Sequence, residues 1–268
     1  MQERIDAVSV VDRALNRLAD ADRAGLYRTI FSRRDVRSQF VPDDVPVDVL
    51  ARVLTAAHHA PSVGLMQPWN FILIRDATRR ARVRDLFTAA NAEAAALHPG
   101  ARGAAYRALK LEGIRDCPIN VCITCNHDRL GPHVLGRSHI RETDIYSTVC
   151  AVQNFWLAAR AEGLGVGWVS IVDPEKLAGE LGLPNYVTAV AYLCVGYVST
   201  FLTEPELQRA GWEKRLAASQ TVKFEGWDNN ARGRTDDFER ELTTALDALR
   251  TDFPASHLAQ DDGATEEF

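Results

Sequence analysis

Arg33-Arg34-Asp35-Val36-Arg37 sets three guanidinium groups around one carboxylate. Guanidinium groups are planar forks that grip phosphate oxygens in pairs, so a cluster this tight reads as an anion site. The acid is the anomaly, because it repels an anionic ligand and competes for the arginines. In an extended chain Arg33, Asp35 and Arg37 share one face, since side chains alternate sides. Two readings stand side by side. One is a solvated, charged turn closing a helix; the other is a ligand site with an acid placed to move protons.

Two further segments carry polar chemistry. Ala60-Pro61-Ser62-Val63-Gly64-Leu65-Met66-Gln67-Pro68-Trp69 connects a helix to a strand. Pro61 and Pro68 stiffen it, Ser62 and Gln67 offer hydrogen bonds, and Gly64 permits close approach of the backbone to a ligand. Gly163-Leu164-Gly165-Val166-Gly167-Trp168-Val169-Ser170 imitates a dinucleotide fingerprint. Its order is helix, glycine-rich turn, strand, the reverse of what that fingerprint needs, so a Rossmann site is excluded. Ser170, set in an apolar strand, needs a partner from backbone or ligand. Cys122 and Cys125 form a C-x-x-C near His127, His133 and His139. An offset of three along a buried strand puts the thiols on opposite faces, so no metal centre is expected.

The elements that must position these residues follow from periodicity. Helices are expected over 22–32, 46–59, 77–97, 144–162 and 174–181, and strands over 69–74, 119–124, 166–171 and 187–198. Leu26, Ile30 and Phe31 should face inward on the first helix. Val49, Leu50, Val53, Leu54 and Ala57 do so on the second, and Tyr146, Val149, Val152, Phe155, Trp156 and Ala159 on the fourth. Residues 98–113 show no sharp period. Strands alternating with helices imply an α/β or α+β domain over 22–227. A helical extension carrying Val8, Val11, Leu15 and Leu18 precedes it, over 1–21. A polar tail over 228–268 follows, with Leu242, Leu246 and Leu249 marking one more short helix and a disordered acidic end.

Bulk properties narrow the partners. Of 268 residues, 46% are hydrophobic and 25% charged, an ordinary globular balance. The net charge of −5 argues against nucleic acid, which selects a basic surface. The longest apolar run, Val187 to Val198, is interrupted by Thr188 and is too short to span a bilayer, so no membrane partner is expected. Met1-Gln2-Glu3-Arg4 leads into amphipathic sequence rather than a secretory leader, and an odd five cysteines read as free thiols. The expected location is cytoplasmic.

Taken in order, Arg-Arg-x-x-Arg, Ala-Pro-Ser-x-x-x-x-Gln-Pro-Trp and Gly-Leu-Gly-x-Gly-Trp resemble the nitroreductase-like flavoproteins over about residues 27–227. Within them the chain resembles the flavin-cleaving 5,6-dimethylbenzimidazole synthases, the BluB-type flavin destructases. That likeness adds Lys110-Leu111-Glu112-Gly113-Ile114, Leu135-Gly136-Arg137, Tyr146 to Asn154, Glu204-Pro205-Glu206-Leu207 and Gly211-Trp212. The resemblance implies an α+β fold, with a mostly antiparallel sheet flanked by helices, that dimerises with FMN at the interface. It implies O2-dependent splitting of reduced FMN, delivered by a separate flavin reductase, into 5,6-dimethylbenzimidazole and erythrose 4-phosphate, the former being the lower ligand of cobalamin. It assigns Asp35 and Ser170 to catalysis. FMN contacts would come from Arg33, Arg34, Asp35, Val36, Arg37, Pro61, Ser62, Gly64, Trp168, Val169, Ser170 and Arg215. Leu97 falls where the family places a lid methionine, in a lid around 97–113. An NAD(P)H-dependent nitroreductase or flavin oxidoreductase, and a non-catalytic flavin or corrinoid carrier, are the alternatives.

Overall fold

The computed structural model describes residues 17–227 and 236–252. Four strands, β1 (Trp69–Ile74), β2 (Ile119–Asn126), β3 (Leu164–Val169) and β4 (Val187–Tyr197), form one antiparallel sheet in the order β1-β2-β4-β3. Alternation along β2 sorts its side chains: Ile119, Val121 and Ile123 enter one core, while Cys122 enters the other. The first core lies between the sheet and two helices, α2 (Val47–His58) and α5 (Thr143–Ala161). The second lies beneath α3 (Ala77–Ala96) and α6 (Pro174–Leu181). The architecture is the α+β arrangement expected, with helices over both faces.

The remaining helices are α1 (Asp20–Ser32), α4 (Gly100–Ala108), the short α7 (Glu206–Arg209) and α8 (Ala218–Thr221), and α9 (Asp237–Asp252). α4 was not expected. Its Ala- and Arg-rich sequence buries little beyond Gly103 and Tyr106, too few residues to make a visible stripe. α9 matches the helix expected around Leu242 to Leu249. Leu18 precedes α1 outside any helix, and Val8, Val11, Leu15 and the acidic end lie outside the described residues. Among the described residues no helix is long and apolar enough to cross a membrane.

Two helix faces differ from expectation. On α1, Leu26 and Phe31 are exposed and Ser32 is the buried residue. On α5, Tyr146 and Val149 are exposed, whereas Asp144, Ser147 and Thr148 are buried. Polar bonds win over the apolar stripe in the first half of α5. Ser147 Oγ accepts from the Val63 amide at 3.2 Å and donates to the Thr143 carbonyl at 2.5 Å. Thr148 Oγ1 donates to the Asp144 carbonyl at 2.9 Å. The second half, with Val152, Phe155, Trp156 and Ala159 buried, obeys the stripe.

Candidate active site

α1 ends at Ser32, and the chain continues extended as an arm laid along β3. Asp35 bridges Val166 in parallel, and the Val36 amide donates to the Val166 carbonyl at 3.0 Å. β3 accepts the arm because it offers glycines there. A Cβ on Gly167 would stand 2.0 Å from the Val36 carbonyl oxygen, and one on Gly165 would meet Val198 at 2.4 Å and Val36 at 3.0 Å. Across the arm, a Cβ on Gly113 would reach Phe40 at 2.7 Å and the Arg37 carbonyl at 2.9 Å. The segment expected as a glycine-rich turn is therefore mostly strand. Gly163 alone makes the turn, at φ +77°, while Gly165 and Gly167 make room.

The arm fixes the acid. Asp35 Oδ1 accepts the Trp168 amide at 2.9 Å, and Oδ2 takes Arg37 Nη2 at 2.8 Å. Each carboxylate oxygen keeps lone pairs for a ligand, and the side chain is 35% exposed. Asp35 and Arg37 thus share a face, as alternation requires. The Arg37 guanidinium also donates to the Lys110 carbonyl at 3.3 Å.

The other arginines of the cluster lie close to further cations. Burial and the charge of Arg215 push the guanidiniums of Arg33 and Arg34 down, and Arg160 adds its own repulsion on Arg34. Arg33 stacks over Trp156 at 5.3 Å, and the Trp156 indole donates to the Arg34 carbonyl at 3.2 Å. Arg34 Nη1 donates to the Phe31 and Arg33 carbonyls at 2.8 and 2.7 Å, and its Nη2 donates to the Thr203 carbonyl. Ser32 Oγ and the Nε atoms of Arg33, Arg34, Arg37 and Arg160 are buried without partners. Buried polar atoms ordinarily have partners. Like-charged, half-desolvated guanidiniums with open donors fit a phosphate, so a phosphorylated flavin suits this chemistry. Arg160 was missed in the sequence because a basic residue in a helix's last turn carries no distinct signal.

The 60–69 loop is tightly built. Gly64, Leu65 and Gln67 have φ of +59°, +51° and +47°, and Ser62 Oγ accepts the Gln67 amide at 3.1 Å. Positive φ at non-glycine residues is strain of the kind stored at functional sites. Gly64 serves the chain itself: a Cβ there would meet the Leu135 carbonyl at 2.5 Å. Pro61 is exposed and Ser62 half-buried. Val36 and Val169 are buried in the core, with side chains closed to solvent. Ser170 lies just past β3, exposed, and its hydroxyl has no hydrogen bond among the described residues. The expectation that it sits inside the strand fails, which leaves the hydroxyl open to a ligand.

The C-x-x-C divides as alternation predicts. Cys122 belongs to the core under α3 and α6, and Cys125 lies beside His127 and Asp144. Cys125, His127 and Asp144 have ligand atoms within 4.8 Å of one another. However, Asp144 Oδ2 already takes Arg137 Nη2 at 2.5 Å and His127 Nδ1 at 2.8 Å, while His127 Nε2 reaches Thr188 Oγ1 at 2.8 Å. A metal would have to displace a guanidinium. The knot ties the 127–142 loop to α5, and the same loop presses Leu135 onto Gly64.

Comparison with known proteins agrees with this layout. Residues 30–197 match the model of the nitroreductase family. The chain is 45% identical over 193 residues, 72% of its length and 91% of the relative's, to the 5,6-dimethylbenzimidazole synthase of Rhodospirillum rubrum. The fold also resembles an oxidised iodotyrosine deiodinase bound to FMN and 3-iodo-L-tyrosine, with TM-score 0.60 and 18% identity over 75% of this chain and all of that one. A BluB-like flavoprotein from Clostridium difficile 630 superposes with TM-score 0.56 and 20% identity, covering 75% and 99%. With the family model spanning β1 to β4 and the arm that carries Asp35, the chain belongs to the nitroreductase family.

Proposed function

We infer that this chain splits reduced FMN with O2 into 5,6-dimethylbenzimidazole and erythrose 4-phosphate, supplying the lower ligand of cobalamin. The observation that carries the reading is Asp35, a carboxylate 35% exposed and held by Trp168 N–H and Arg37 beside the half-buried Arg33 and Arg34. An enzyme that only passes electrons through a flavin has no use for an acid there. The extent of identity to the Rhodospirillum rubrum synthase supports the same conclusion.

Reduced FMN, when bound, supplies both the electrons taken by O2 and the ring carbons of the product. Arg33, Arg34 and Arg215 hold its phosphate, with Ser62, Pro61, Trp168 and the backbone of Val36, Gly64 and Val169 along the rest. Asp35 gives and takes the protons that bond cleavage requires, and Arg37 holds that carboxylate in position. The Ser170 hydroxyl orients the reacting edge by hydrogen bonding. The 97–113 segment, with Leu97 and α4, forms the lid that excludes water. Exposed Leu26, Tyr27 and Phe31 on α1, with Tyr146 and Val149 on α5, support a homodimer that completes the site between two copies. Residues 22–227 form the catalytic unit, and it works in the cytoplasm with a separate flavin reductase.

The test supplies reduced FMN and O2 and seeks 5,6-dimethylbenzimidazole by mass spectrometry. Asp35→Asn is expected to bind reduced FMN yet lose product by about 10²- to 10⁴-fold, the range of a lost acid–base group. Normal product from that variant refutes the role of Asp35. Rapid bleaching of bound FMN by NAD(P)H without fragmentation would instead assign a flavin reductase.

A further inference from the structure

We propose that Arg160 is a specificity-determining binding residue, a fourth guanidinium on the phosphate that selects FMN over unphosphorylated riboflavin. This rests on the flavin reading above. Arg160 stands in the last turn of α5, with its guanidinium carbon 3.9 Å from the centroid of the Phe201 ring. The stack fixes the plane of the fork but leaves its N–H groups unspent, and Nε is buried without a partner. The neighbouring acid cannot neutralise it: both Glu162 oxygens are taken by Arg52, at 2.8 and 2.9 Å. Among the described residues Arg160 makes no ion pair.

One turn earlier on the same face of α5, Trp156 underlies Arg33 and donates to the Arg34 carbonyl. The helix therefore braces the Arg33–Arg34 pair and adds a cation of its own. Burial holds the Arg160 guanidinium below its usual range, and its charge acts on Arg34 together with those of Arg215 and Arg33, opposed only by Glu204. A cation placed merely to complement the end of the helix dipole would sit in water and gain a fraction of a kcal/mol. Desolvating three like charges, Arg33, Arg34 and Arg160, beside the exposed Arg215 costs free energy that an anion returns. A phosphate monoester, with close to two negative charges and three acceptor oxygens, matches that demand.

The experiment measures binding of FMN and of riboflavin to the full chain, for wild type, Arg160→Met and Arg160→Lys. Methionine keeps an apolar contact for Phe201 and removes the charge. FMN affinity is expected to fall about 10- to 100-fold in Arg160→Met, the loss of charge-assisted hydrogen bonds, with riboflavin affinity unchanged. Arg160→Lys should recover part of the FMN loss, because it restores the charge without the fork. An equal loss for both flavins would show that Arg160 only shapes the fold, and unchanged FMN binding would show that it misses the phosphate. Either overturns the proposal while leaving the flavin reading intact. Failure of wild type to bind either flavin overturns the flavin reading and this proposal with it.

Discussion

Gly167→Ala tests the positioning of the acid without touching it. A methyl group there begins 2.0 Å from the Val36 carbonyl oxygen, and real contacts of this type stay beyond about 3.0 Å, so the arm must retreat by about 1 Å. The obstacle is backbone, which cannot swing aside as a side chain would. Three bonds resist the retreat: Val36 N–H to Val166 at 3.0 Å, Trp168 N–H to Asp35 at 2.9 Å and the Trp156 indole to Arg34 at 3.2 Å. Losing the first two costs about 2–4 kcal/mol, since one is neutral and one is charge-assisted. A displacement of about 1 Å at a reacting group costs about 10²-fold in rate. The expected outcome is a chain that still folds and binds FMN, melts several degrees lower, and forms product about 100-fold more slowly. Gly179→Ala in α6 is the control, because its Cβ meets nothing within 4 Å and the change should stabilise by up to about 1 kcal/mol. Wild-type product formation and melting by Gly167→Ala would refute the argument that the glycines of β3 exist to seat the arm.

Two further outcomes are expected. Asp144→Asn removes the charge that Arg137 and His127 share at a side chain only 2% exposed, and should cost about 3–5 kcal/mol in thermal or urea unfolding. Burial pushes the Cys122 thiol up to about 12 and the Cys125 thiol up to about 11, so both stay protonated in the folded chain. Their contribution to stability is intact below the ordinary thiol value of 9.0 and is lost as pH rises towards 11 and 12. Iodoacetamide at pH 8 is accordingly expected to modify Cys150, the one cysteine not buried, and to reach the others only after unfolding, as read by mass spectrometry.

Much of the molecule was legible in its sequence wherever one local pattern governed one element. β1 matches its expected bounds at both ends, α6 does too, and the α2 face of Val49, Val53 and Ala57 is buried as its period requires. The sharing of a face by Asp35 and Arg37 follows from strand alternation alone. The buried polar face of α5 was illegible, because Asp144 and Ser147 are drawn inward by His127, Arg137 and Val63, partners from other segments. The outward Leu26 and Phe31 on α1 were illegible for the converse reason: an apolar side chain does not say whether its own chain or a second copy covers it.

The amino-acid sequence by itself determined the residue types that chemistry demands, three arginines with one acid, a loop stiffened by prolines and a glycine-rich turn before a strand. Only the tertiary structure decided their division of labour. It paired Arg37 with Asp35, anchored Arg34 on the Phe31, Arg33 and Thr203 carbonyls beside Arg160 and Arg215, and turned Gly165 and Gly167 from an apparent turn into the seat of the arm. The physical reason is that charge pairing and steric room depend on separation in space. Arg34 and Arg160 are 126 positions apart, and no local pattern reports that distance.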